Sequence, residues 1–127
     1  MTETEVIAEM RRHLKGKFPK QCGRCGRTYA NLKDYLLHTK HVGEPKSYDV
    51  ELGDFRPIQP IGTMSWANCG CGNTLVIDST GMRLLTLWRL MGWLVDEMAR
   101  RREKSSVVLA DLRAAIDRAT LASSSPW

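Results

Sequence analysis

The 127-residue chain has no apolar run long enough to cross a bilayer. Its most apolar stretch, Met82 to Val95, is interrupted by Arg83, Arg89 and Gly92 and falls short of the roughly 20 residues that a spanning helix needs. The first residues, MTETEVIAEMRRHLKGK, mix acids and bases without an apolar segment, so no signal peptide is expected there. No Gly/Ser-rich linker or internal repeat divides the sequence, and a length of this order fits one domain with an appendage. These absences predict a cytoplasmic protein with no membrane partner. Histidine is scarce, with three in the chain and two of them close together at His38 and His41. No Ser-His-Asp arrangement, phosphate-cradling loop or paired-acid motif is present. Asp49, Glu51 and Asp54 read as solvated loop acids. No catalytic residue is assigned, and no enzyme is expected.

Acidic residues are missing from one region in particular. Residues 11 to 46 hold ten Lys or Arg against two acids, Asp34 and Glu44, within a chain of net charge +5. Such a segment is either a solvated face around a small site or a contact surface for nucleic acid or an acidic protein.

What is present is mostly helical. Thr2 followed by Glu5 fits a capping box, and Val6, Ile7, Met10 and Leu14 recur at helical spacing, predicting a helix over 3–15. Asn31 with Asp34 three residues on predicts a second helix, running to about Lys40 and stopped by Gly43 and Pro45. Residues 43–62, with three prolines and three glycines, read as loop. Met64–Asn68 and Thr74–Ile77 are short strand candidates around a Gly-Cys-Gly turn. From Met82 onward only Gly92 interrupts a helical pattern before Pro126.

All four cysteines fall in two close pairs, which in a reducing compartment points to metal rather than disulfides. A Cys-x-x-Cys turn lets two thiolates converge on one ion. A glycine after the second Cys can take positive φ and bring backbone amides near the sulfurs. Cys22-Gly-Arg-Cys25-Gly26 has this form, and Cys69-Gly70-Cys71-Gly72 is a shortened version. Cys22, Cys25, Cys69 and Cys71 therefore form one candidate ligand set for a structural Zn²⁺, closed by four thiolates. A second set, Cys22, Cys25, His38 and His41, leaves two cysteines unused, and its histidines are only two residues apart. A redox role for Cys22-Gly-Arg-Cys25 lacks the neighbouring pattern expected of thioredoxin-like chains.

Two knuckles, the second flanked by short strands, resemble the halves of a zinc ribbon. Residues 22–41 alone resemble a two-Cys, two-His zinc finger, with Tyr29 and Tyr35 at its core positions. That family would turn Asn31, Asp34 and Leu37 toward bases, yet Leu37 cannot make hydrogen-bonded readout. Leu32, Leu36 and Leu37 together exceed what a free finger buries, so this helix is expected to dock into a larger core. The wider pattern comprises FPK before the first knuckle, VGEP, NCGCGNTL and Leu87-Trp88-Arg89-Leu90. It resembles a group of small bacterial zinc-ribbon-like proteins with a C-terminal helix, associated with signal transduction. The resemblance implies the four-Cys site and a regulatory role, and it brings no catalytic residue.

Leu84, Leu87, Met91, Leu94 and Met98 alternate steps of three and four, a coiled-coil seam. The register continues through Arg101, Ser105, Val108, Leu112, Ala115 and Ala119. It fits either one long helix or a hairpin folding back near Lys104-Ser105-Ser106, with Ser106 as cap. Leu85, Trp88, Leu90, Trp93 and Val95 lie off the seam, so this segment is apolar on more than one face.

The expected architecture is α+β and mostly helical: a zinc-binding head over 1–80, a helical stem over 81–122 and a tail over 123–127. The expected function is a zinc-stabilised interaction or regulatory module. The alternative is a nucleic-acid-binding regulator acting through segment 11–46. The expected partners are a protein and a second copy of the chain, joined through Leu84 to Met98; the alternative for that apolar stretch is an intramolecular bundle with the N-terminal helix.

Overall fold

The computed structural model describes residues 1–42, 46–47, 63–78 and 81–123. The architecture is α+β and mostly helical. Helix α1 (Glu3–Lys15) starts where Thr2 Oγ1 accepts the Glu5 amide at 3.2 Å, as the capping box predicts. Its apolar face buries Val6 and Met10, with Ile7 and Leu14 packed at the edge of the core. Two short antiparallel strands follow, β1 (Lys20–Gln21) and β2 (Thr28–Tyr29), with the first knuckle as the turn between them.

Helix α2 (Leu32–His38) is capped reciprocally. Asn31 Oδ1 accepts the Asp34 amide at 2.8 Å, and Asp34 Oδ2 accepts the Ala30 amide at 3.0 Å. The helix ends at His38, short of the expected Lys40. Thr39 turns to extended backbone while its hydroxyl donates to the Tyr35 carbonyl. Lys40–His41 then form strand β3, whose pairing with a later strand satisfies amides that another helical turn would have used internally. Leu32 and Tyr35 are buried and Leu36 packs on the core, as docking into a larger core requires; Leu37 instead stands in solvent.

Strand β4 (Lys46–Ser47) is the described part of the expected loop; the rest of 43–62, with Asp49, Glu51 and Asp54, lies outside the described residues. Strands β5 (Thr63–Asn68) and β6 (Thr74–Asp78) form an antiparallel hairpin in register from Met64↔Asp78 to Asn68↔Thr74, with the second knuckle as its turn. β3 and β4 pair with opposite ends of the other edge of β5. Because Lys40 sits opposite Asn68, β3 ties the exit of α2 to the residue just before Cys69.

The C-terminal stretch is a helical hairpin, α3 (Leu84–Arg101) and α4 (Ser105–Ala122). The break is at Arg102, in the left-handed region at φ 54°, ψ 45°, with its amide returned to the Met98 carbonyl. Lys104 occupies the cap position of α4, so the cap expected at Ser106 is not used. Arg101 fastens the turn, reaching Glu97 at 2.7 Å and Asp111 of α4 at 3.2 Å.

Helix α4 packs against α1, α2 and α3. Lys33 of α2 donates to the Ser123 carbonyl at the end of α4, at 2.7 Å. One core runs from Val6 through Tyr29, Tyr35 and Ala67 to Leu90, Leu94, Leu109 and Ile116. All of the α3 seam but Leu84, which is 55% exposed, is consumed inside it. Leu87 and Leu94 are buried, and Met91 and Met98 pack on the core, because the chain folds back and α4 adds Val108 and Leu112 to the same cluster.

Candidate metal centre

The two knuckles are hairpin turns, and each is closed by its own backbone. The Cys22 amide donates to the Arg27 carbonyl at 2.8 Å and the Gly26 amide to the Cys22 carbonyl at 3.0 Å. The second knuckle repeats this: Cys69 donates to Asn73 at 2.8 Å and Gly72 to Cys69 at 2.8 Å. Gly26 and Gly72, the glycines after each second cysteine, have φ of 78° and 93°. A side chain there would be strained, so glycine permits both turns.

The turns face each other and bring four sulfurs together, all within 4.8 Å of one another. Two close approaches run crosswise: Cys22 Sγ to Cys71 Sγ at 3.7 Å and Cys25 Sγ to Cys69 Sγ at 3.6 Å. These are far longer than a disulfide bond of about 2.05 Å. Four thiolates at about 2.3 Å from a tetrahedral zinc stand about 3.8 Å apart, so the spacing fits one ion. In each knuckle the first cysteine is buried and the second exposed.

The buried sulfurs also receive side-chain donors, each from the opposite knuckle. Tyr29, at the end of the first turn, donates its hydroxyl to Cys69 Sγ at 3.0 Å. Asn73, at the end of the second, donates Nδ2 to Cys22 Sγ at 3.4 Å. Burial, with the Cys69 sulfur beside it, pushes the Tyr29 phenol up to about 12, so it remains a donor. The Cys25 amide, the Asn73 amide group and the Arg24 amide hold Cys22 down at about 6. Cys69 is lowered by the Cys71 amide and by Tyr29. For Cys25 the largest influence, the Arg27 amide, lowers it, but the Cys69 thiolate, burial and the other two sulfurs together raise it to about 11. A metal dication supplies the positive charge that lets clustered sulfurs lose their protons together.

Neither histidine contributes to the cluster. His38 is exposed and bonds Asp34 Oδ1 at 2.7 Å, and His41 lies in β3 with its ring edge-on to Tyr35. Tyr29 and Asn73 were not evident as sulfur donors in the sequence. Tyr29 reads as a core aromatic, which it also is, and Asn73 looks like an ordinary turn residue. The only available signal is their position just beyond each knuckle. Comparison with known proteins found no matching family model, no matching curated protein and no matching solved structure.

Proposed function

We propose that this chain is a zinc-stabilised protein-interaction module of a regulatory kind, with Zn²⁺ held by Cys22, Cys25, Cys69 and Cys71. The observation that carries the reading is the convergence of the four sulfurs from two facing turns. Four thiolates leave zinc no open position for water or substrate, so such a site staples a fold rather than performing hydrolysis. The staple lies where it is needed. It joins the α1–α2 segment to the β5–β6 hairpin, elements separated in sequence by more than 40 residues.

A binding role, and not an enzymatic one, accounts for a surface that carries exposed large apolar side chains. The association of the resembling bacterial proteins with signal transduction makes a regulatory partner the natural one. Elemental analysis of the purified chain is expected to give one zinc per chain. The Cys69→Ser, Cys71→Ser pair should abolish it, while His38→Ala should retain it. Full zinc in the double cysteine variant would overturn the ligand set.

A second reading, nucleic-acid binding, is favoured by one observation: Arg24 and Arg27 are exposed on the first knuckle within the basic segment. It predicts a mobility shift with mixed-sequence duplex at low salt that fades as salt rises. No shift at low salt would reject it.

A further inference from the structure

Helix α3 has two apolar faces, and the described residues cover only one of them. Leu87, Leu90, Trp93 and Leu94 are buried. On the outer side Leu85 is 73% exposed, Trp88 68% and Val95 54%. These positions, with Gly92 and Ala99, follow steps of three, four, three and four: a second heptad seam, rotated away from the buried one. With Leu84 the stripe leaves on the order of 500 Å² of large apolar side chain open, within the range of patches that mark interaction sites on monomers.

Gly92 is the informative residue. A glycine inside a helix costs about 0.5–1 kcal/mol relative to alanine. Nothing among the described residues requires it, since a Cβ built there would meet none of their atoms within 4 Å. The glycine leaves a notch in the outer seam one turn from Trp88.

We propose that this face pairs with the same face of a second copy, the two α3 helices running antiparallel about a two-fold axis. In that arrangement Trp88 of each helix lies over the partner's Gly92, and Leu85 lies against the partner's Val95. A large side chain fills each notch. A parallel pair would oppose Trp88 to Trp88 and leave two glycines facing a void.

Charge agrees with the antiparallel choice. Arg89 and Asp96 are both exposed, lie one heptad apart on the same edge of the stripe, and make no ion pair among the described residues. An antiparallel two-fold sets each Arg89 beside the partner's Asp96, twice by symmetry. Two such faces bury roughly 1,000 Å², the lower bound for a specific interface. A lipid surface is a poorer occupant, because interfacial helices carry a polar face rich in Lys and Arg. Here Asp96 and Glu97 share the polar part of α3 with the arginines. The pairing gives the interaction module proposed above its partner, and it does not depend on which metal the cysteines hold.

The test is light scattering on the full chain at concentrations well above micromolar, with zinc assayed in the same sample. The expected mass is twice the 14.4 kDa of one chain. Trp88→Glu should weaken association by at least about 100-fold while keeping helical circular dichroism and zinc, since buried aromatic residues near an interface centre dominate its affinity. Leu85→Cys mixed with Val95→Cys should cross-link between positions 85 and 95, mapped by mass spectrometry, whereas Leu85→Cys alone should not cross-link through position 85. A wild-type monomer, an unchanged dimer in Trp88→Glu, or a link between two positions 85 would each overturn the pairing. A monomer that shifts onto phosphatidylglycerol vesicles would overturn it and give the face to a lipid surface. Monomer with full zinc refutes the pairing alone; dimer without zinc refutes the metal reading alone.

Discussion

Each buried sulfur of the centre has a donor that can be removed with little change of shape. Tyr29→Phe keeps the ring in the core and deletes the hydrogen bond to Cys69 Sγ. Partners of this kind orient ligands and spread thiolate charge, and their loss typically lowers metal affinity about 10-fold to 100-fold. Competition against a chromophoric chelator should show weakening at the lower end of that range for Tyr29→Phe. Asn73→Ala should have a smaller effect, because its contact is longer, at 3.4 Å. At the same scale, Asp117 is a partly buried carboxyl on α4 whose titration is raised by desolvation. A folded-state value above the ordinary 3.8 means that ionisation opposes folding. The penalty is fully present above the folded value and gone below the unfolded one. Asp117→Asn should therefore raise the denaturation midpoint at neutral pH, and its advantage over wild type should narrow as pH falls through the raised range. An advantage that instead grows toward acid would show that the carboxyl is stabilised in the fold.

At the scale of elements, caps and turns decide where helices begin and end. Asn31→Ala removes the acceptor for the Asp34 amide and should cost about 1 kcal/mol in equilibrium unfolding. Arg102→Gly should do the opposite. Arg102 holds a left-handed conformation between α3 and α4, and glycine adopts it without the Cβ clash, for a gain of up to about 1 kcal/mol. The caps of α1 and α2 were legible because Thr2, Glu5, Asn31 and Asp34 are local signals. The hairpin was legible only as one of two options, because the residue that turns the chain is an arginine with no turn signature. The end of α2 was misplaced for a related reason. Lys40 and His41 leave the helix to pair with Ala67 and Asn68, a partner strand far away in sequence. The seam of Leu87 and Leu94 was visible as a pattern, but periodicity cannot say whether the facing residues come from the same chain. Here the same chain supplies them, through Val108 and Leu112.

At the scale of the whole molecule, α4 is the hub against which the other three helices pack, and the four-sulfur cluster brings the two knuckle-bearing segments together. Leu90 and Leu109 are fully buried in that shared core. Leu109→Ala should cost about 2–5 kcal/mol, and it should lower the unfolding midpoint of head and hairpin together if they unfold as one unit. Separate transitions by zinc release and by helix signal would contradict that cooperativity. The cysteine pairs were the most legible part of the site, because two-residue and one-residue spacings followed by glycine are intelligible without a fold. The two unused cysteines and the short histidine spacing already favoured the four-cysteine set, but its assembly depends on β3 and β5 carrying the second knuckle to the first while His38 turns to Asp34, which the sequence does not display.

Four sulfurs, and no nitrogen, are expected to hold the zinc ion. X-ray absorption at the zinc edge of the purified protein measures this directly. The expected result is a coordination shell of four sulfur atoms at about 2.3 Å with no shorter component. A shell of two sulfurs with two nitrogens at about 2.0–2.1 Å would contradict it and return the site to Cys22, Cys25, His38 and His41.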